Sequence, residues 1–293
     1  FDNSSLHLSG GSGNVIQANS KTGVEIYDSG FNLIGGPNPG EGNTDGFIQI
    51  DRASNNVVVG NMLKRVRVLG WIAGGQPATN NRIGGPTLGE RNHIIGLGTM
   101  DEHGQPNGYG IQLFDAIGTL IENNWIGMTP DGLSQGNPYT TAGIYFDTEN
   151  YDTTIRNNRI AGILAWAVPP HGQAYQVGSG IVLYGAGSGV SIVGNKIGLN
   201  ANDQPVLGSV TGISTVHFFY PNGIANVVVG GAAAGESNEI AGHLGVGISV
   251  ANTYSGMRIS GNSIHDNGGL GVDLVTADFV YGVTPNDPLD TDV

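Results

Sequence analysis

The chain has 293 residues, 51 of them Gly and none Cys, with 12% charged residues and a formal net charge of −13. Gly at that frequency, without a strict three-residue period, excludes both a helical protein and collagen. The negative charge disfavours nucleic acid and anionic membrane surfaces as partners, since both call for basic patches. No disulfides form, and no apolar run is long enough to cross a bilayer.

The first 20 residues carry alternating Leu6, His7 and Leu8, then Val15 and Ile16, and predict a partial coil. Asn19 lies only 17 positions before Gly36, too close for a full turn. Phe1-Asp-Asn-Ser-Ser is not a charged start leading into an apolar stretch, so no signal peptide is expected, and the segment is expected to be excised from a longer chain.

From residue 23 onward a small residue followed by alternating apolar positions keeps returning, as in Gly23-Val-Glu-Ile, Gly46-Phe-Ile-Gln-Ile, Gly110-Ile-Gln-Leu, Gly143-Ile-Tyr-Phe, Gly180-Ile-Val-Leu, Gly212-Ile-Ser-Thr-Val and Gly247-Ile-Ser-Val. A period of two over four or five residues, with branched aliphatics inward, predicts short strands. Each is followed by a second motif, clearest in Ile121-Glu-Asn-Asn-Trp-Ile126, Ile155-Arg-Asn-Asn-Arg-Ile160, Ile192-Val-Gly-Asn-Lys-Ile197 and Ile259-Ser-Gly-Asn-Ser-Ile264, with Val58 to Leu63 as an earlier copy.

Aligned on the small residue, the copies fall at Gly36, Asn61, Gly85, Asn124, Asn158, Asn195, Gly231 and Asn262, with spacings from 24 to 39 residues. Helical repeats hold a fixed length, so this variation points to strands in register joined by loops of free length. Stacked coils at about 4.8 Å each then give parallel sheets, with the Asn residues piled at a turn and bonding along the rod.

Three inserts share Gly-Gly-x-x-x-Gly-Glu-x-Asn, at residues 35–43, 84–92 and 230–238, and read as structural turns. Longer inserts at 98–109, 129–141 and 162–178 are expected to wall a groove; the last brings Trp166. His217-Phe-Phe-Tyr220 is the most aromatic stretch and is expected to cover a strand. His265-Asp-Asn-Gly-Gly269 reads as a turn, and residues 275–293 as an acidic, proline-broken tail.

Two columns carry possible chemistry. Asp28, Asp51, Asp115 and Asp147 follow the recurring strand, with Tyr184 and Asn252 in later coils. Glu25, Gln49, Arg67, Gln112 and Tyr145 take its outward position and predict a glycan-binding strip. With the Arg67 coil between theirs, Asp51 and Asp115 fall about 10 Å apart, near the upper limit for an inverting glycosidase. Asp115 and Asp147, about 5 Å apart, are close enough to share a raised pKa or a Ca²⁺ ion. Asp at a strand end is equally a turn former, and that reading stays open.

The chain resembles the right-handed parallel β-helix proteins of the pectate-lyase-like superfamily, and more closely the Gly/Asn-rich β-helix modules of large secreted bacterial proteins. The residues that carry the resemblance are 83–92 with their relatives 34–43 and 229–238, and the phrases at 124–132 and 195–203. It implies an all-β solenoid of about eight to ten coils over residues 1–293, secreted or at the cell surface, monomeric within a larger protein and contacting polysaccharide.

It also implies two functional classes. One is a non-catalytic binding or structural module. The other is a polysaccharide lyase or glycoside hydrolase with Asp51, Asp115, Asp147 and Arg67 catalytic. In that scheme Glu25, Gln49, Gln112, Tyr145 and Trp166 bind substrate, with Ca²⁺ on Asp115 and Asp147. The paired Asp and Gly-His signature of polygalacturonases, an ordered Ser, His and Asp set and metal-spaced His pairs are absent, which favours the first class.

Overall fold

In the computed structural model, residues 5–21, 23–167, 173–205, 207–216, 223–251 and 256–275 are described. Within them the chain winds as a parallel β-helix solenoid. Among the described residues, apart from one antiparallel hairpin and a few isolated bridges, every strand pairing is parallel, and the only helical pieces are single 3-10 turns at Ile72–Gly74 and Leu88–Glu90. No helix among the described residues is long and apolar enough to cross a membrane.

Ten long strands stack in one sheet, from Ser5–Ser9 through Gly23–Tyr27, Thr44–Asp51, Met62–Leu69, Gly108–Phe114, Thr140–Asp147, Ser179–Tyr184, Thr211–Val216 and Ile248–Ala251 to Val272–Val275. A second face is built from pieces such as Ile34 in Leu33–Gly35 and Ile121 in Leu120–Glu122, and a third from His93–Ile94, Trp125–Ile126 and their successors. In Thr44–Asp51 and Met62–Leu69 the third face and the long sheet are one continuous strand; from His93–Ile94 onward a loop is inserted between them.

The alternation seen in the sequence fills the bore. Val24, Ile48, Val66, Ile111, Ile144, Ile181 and Ile213 form one inward file, and Ile34, Val58, Ile83, Ile121, Ile155, Ile192 and Val229 another, all essentially inaccessible. Branched aliphatics suit this because each packs on its own kind one coil away, at the strand spacing of about 4.8 Å.

The expected Asn stack is present, and its membership corrects the alignment. The file is Asn19, Asn43, Asn61, Asn92, Asn124, Asn158, Asn195, Asn238 and Asn262, each amide donating to the next Oδ1 at 2.8–3.1 Å. Gly36, Gly85 and Gly231 are not in it. In those coils the shared insert stretches the interval from the inward aliphatic to the Asn from three positions (Val58 to Asn61) to nine (Ile34 to Asn43, Ile83 to Asn92, Val229 to Asn238). The insert is a turn, as expected: Glu90 closes a capping box with Thr87, and Glu41 accepts from Asn38.

Residues 5–19 also correct their expectation. Ser5 pairs with Gly23 and Asn14 with Asn32, so 18 residues complete a coil. A second file, Asn14, Asn32, Asn56 and Asn81, staples another corner at 2.8–3.1 Å and then stops. Val275 closes the last described strand; residues 276–293, the rest of the expected tail, lie outside the described residues, as do 217–220.

Candidate functional site

Outward positions of the long sheet make two columns side by side. The first runs His7, Glu25, Gln49, Arg67, Gln112, Tyr145, Val182, Ser214, Ser249 and Asp273, so the five polar residues expected there are brought together in consecutive coils. Two positions along each strand the second runs Tyr27, Asp51, Leu69, Phe114 and Asp147, with Tyr184 following Leu183 in the next coil.

These side chains bond along the rod. Arg67 donates through Nε to Gln112 Oε1 at 3.0 Å and through Nη1 to Gln49 Oε1 at 3.2 Å. Gln49 donates to the Tyr27 hydroxyl at 3.2 Å, and that hydroxyl donates to Glu25 at 3.0 Å. Gln112 passes its amide to Asp147 Oδ2 at 3.4 Å. Two neutral amides thus hold the Arg67 guanidinium on the sheet.

Farther along, Tyr109, Tyr145 and Tyr184 stack, with centroids 4.4 and 6.0 Å apart and planes within 22°. Tyr109 was not anticipated, because alternation places it inward with Ile111 and Leu113. A register shift between Gly108 and Tyr109 breaks that alternation and brings its ring against outward-facing Tyr145.

The acidic column anticipated from sequence divides in two. Asp51 and Asp147 are strand residues, whereas Asp28 and Asp115 occupy the following turn with φ of 48° and 50°, aligned with Arg52 and Thr148. Asp115 therefore neighbours Thr148 rather than Asp147. Asp115 Oδ1 accepts from the Thr148 hydroxyl at 2.7 Å and the Glu149 amide at 3.2 Å, and Oδ2 from the Ile72 amide at 3.0 Å. It is 7% exposed and acts as a turn anchor. Among the described residues no group of three or more His, Cys, Asp or Glu is arranged to hold a metal ion.

Asp51 and Asp147 share one property. Burial pushes each carboxyl above the ordinary Asp range. At Asp51 the Arg52 and Arg67 charges pull it back and Asp28 pushes it further; at Asp147 the Thr148 amide, Gln112 and Arg67 pull back against Asp115. Three strand steps separate them, which is about 14 Å along the rod at about 4.8 Å per step. Between them Leu69 and Phe114 form the floor of an open cleft of about 390 Å³ that Asp51, Arg67 and Trp71 also line. Trp71, 56% exposed, stands on the turn that Asp115 anchors.

Trp166 lies outside both columns. It sits exposed on an antiparallel hairpin, Ala165–Ala167 with Tyr175–Val177, whose Ala165 and Ala167 are buried and which touches an earlier insert through Tyr175 Oη to Gln105 Oε1 at 3.0 Å. These inserts precede Gly108–Phe114 and Ser179–Tyr184, on the side of the sheet where Tyr109 stands.

No protein-family profile matches the chain, and no curated protein matches it. Solved structures similar to it include the Dettilon tailspike protein, at 14% identity and a TM-score of 0.38 over 92% of this chain and 60% of that one. Another is PfbA, a surface adhesin of Streptococcus pneumoniae, at 11% identity and a TM-score of 0.40 over 96% and 74%. The chain thus spans about three fifths of the length of the tailspike.

Proposed function

We propose that the chain is a non-catalytic β-helix module of an extracellular or cell-surface protein, and that it binds a polysaccharide lying along the long-strand sheet. The observation that carries this is the stacked Tyr109, Tyr145 and Tyr184 running into the hydrogen-bonded file of Gln112, Arg67 and Gln49. The stacked rings turn their edges outward as an apolar strip for a sugar's C–H groups, and a row of amides and a guanidinium takes its hydroxyls. Both run along the rod axis, which is the direction a chain of sugars needs.

The separation of Asp51 and Asp147 speaks against hydrolysis by a carboxylate pair. About 14 Å along the rod exceeds the roughly 6.5–9.5 Å of inverting enzymes and the roughly 5 Å of retaining ones. Asp115 is committed to its turn.

A glycan array probed with the wild-type protein and with Tyr145→Ala tests the reading. Binding of at least one polysaccharide, weakened tenfold or more by the substitution with the β-sheet circular dichroism unchanged, is expected. Equal binding by the variant, or product release from any glycan that binds, overturns it.

A further inference from the structure

The third face carries a groove built by what one coil lacks. The coils ending at Asn43 and Asn92 both contain the Gly-Gly-x-x-x-Gly-Glu-x-Asn insert, and the coil between them, ending at Asn61, does not. The two inserts meet over the short coil, where Gly89 rests on the Pro37 carbonyl with no room for a Cβ. Between them and the file of Thr44, Met62 and His93 remains a groove of about 520 Å³. Its lining is mixed: Pro37, Met62 and Leu88 are apolar, and Arg91 and His93 supply polar nitrogen.

Among the described cations near this groove, Arg82 pairs with Glu90 at 3.0 Å and Arg159 and Lys196 share Asp203 at 2.7 Å, whereas Arg91, like Arg65, has no such partner. Among the described residues no carboxylate pairs with Arg91; its Nη2 donates to Asn123 Oδ1 at 3.0 Å and its guanidinium lies 4.8 Å from the Trp125 ring centroid. Arg91 Nε and His93 Nδ1 are both buried and have no hydrogen-bond partner among the described residues. Burial and the nearby Arg159 charge lower the Arg91 pKa, as expected of a half-buried cation without a counter-charge.

We infer that this groove is a second ligand site, on a different face from the polysaccharide strip, and that it takes a single acidic sugar residue. The carboxylate or sulfate ester meets Arg91 and His93, and the ring lies against Pro37, Met62 and Leu88. An anion is what the Arg91 guanidinium, held by a neutral amide and an aromatic ring and without a carboxylate partner, lacks. The apolar walls favour a sugar ring over a bare inorganic ion. In a chain of net charge −13, a cation without a carboxylate partner at a groove's wall selects for an acidic ligand.

The test is titration of the whole protein with glucuronate, glucose 6-sulfate, glucose and inorganic sulfate, followed through the Trp125 indole and His93 ring NMR signals. Shifts of both signals with glucuronate or glucose 6-sulfate, at least tenfold tighter than with glucose or sulfate alone, are expected, and the two acidic sugars distinguish carboxylate from sulfate ester. Arg91→Gln is expected to abolish the preference. Leu88→Glu changes a residue 77% exposed, so the fold is not at issue, and it sets a negative charge at the rim; it is expected to weaken the acidic sugars tenfold and leave the Tyr145-dependent glycan binding intact. Equal affinity for glucose and glucuronate, inorganic sulfate binding as tightly as the sugars, or wild-type binding by both variants overturns the assignment.

Discussion

The Asn corner and the outward column of the long sheet obey the same geometry, one residue per coil about 4.8 Å apart, yet one keeps a single residue type throughout and the other varies it. At the corner every main-chain amide and every side-chain amide from Asn19 to Asn238 donates to the next Asn Oδ1. Only a short side chain with both donor and acceptor can satisfy itself and both neighbours in a place without water. The outward column, half-buried at Arg67 and Tyr145 and buried at Gln112, Ser249 and Asp273, accepts His, Glu, Gln, Arg, Tyr, Val, Ser and Asp. Repetition thus marks what holds the rod together, and variation marks where a ligand can be distinguished.

The largest break in that contrast comes from removing one rung. Asn158 Oδ1 accepts from the Asn124 main-chain and side-chain amides, and its own amide donates to Ile121 O and Asn195 Oδ1. Asn158→Ala leaves several buried groups unpaired and is expected to cost about 3–5 kcal/mol. Gln112→Ala, at a polar site in the outward column, is expected to cost much less. Chemical denaturation of both variants checks the difference; similar losses would mean that the amide file is not what stabilises the coil.

Acid gives the second test. His243 is 2% exposed, burial holds its pKa at about 4, below the ordinary 6.5, and its Nδ1 accepts from the Ser209 amide at 3.1 Å. A histidine depressed in the folded state stabilises it fully above pH 6.5, and that contribution is lost as pH falls toward 4. The loss is of order 3 kcal/mol, at about 1.4 kcal/mol per pH unit. His243→Gln is expected to flatten the fall in melting temperature between these pH values; an unchanged profile would assign acid sensitivity elsewhere.

A third, opposite effect sits where the shorter amide file ends. Beyond Asn81 the next coils carry Thr119, Thr153, Val190 and Val227, and the Thr119 hydroxyl is buried without a partner. Thr119→Val copies what two later coils already use at that position. It removes an unmet polar group and is expected to stabilise by about 1 kcal/mol, read as a higher denaturation midpoint.

The strands and the Asn corner were legible because each is a local pattern repeated many times, so the outward column with Arg67 and Tyr145 could be aligned in advance. What the sequence hid was local slippage. Register shifts between Thr44 and Phe47 put Asp51 opposite Tyr27 rather than Asp28, while Asp115, five residues past Gly110 where Asp147 is four past Gly143, follows Phe114 into the turn in unbroken register. The shift between Gly108 and Tyr109 concealed Tyr109. The Gly-Gly insert displaced three coils of the amide alignment, because Gly36, Gly85 and Gly231 mimic the small residue that the Asn follows nine positions after the aliphatic. Trp166 could not be placed, since nothing local says whether an insert folds along the rod or away from it.

The smallest predicted effect falls in the outward column, and its sign is the informative part. Asp147 has a carboxyl raised by burial, so ionising it opposes folding: the protonated form is favoured in the folded state, and stability is lost as pH rises above the ordinary Asp range. Asp147→Asn keeps an acceptor for Gln112 and removes the charge, so it is expected to raise the melting temperature slightly at pH 7, with the gain vanishing once pH falls below the ordinary Asp pKa of about 4. This pH trend is opposite to that of His243. A residue that mildly destabilises its own fold at neutral pH, beside the tyrosine stack, is what a ligand-facing position should look like. If Asp147→Asn instead lowers the melting temperature at every pH, Asp147 belongs with the scaffold, and the polysaccharide strip ends at Gln112.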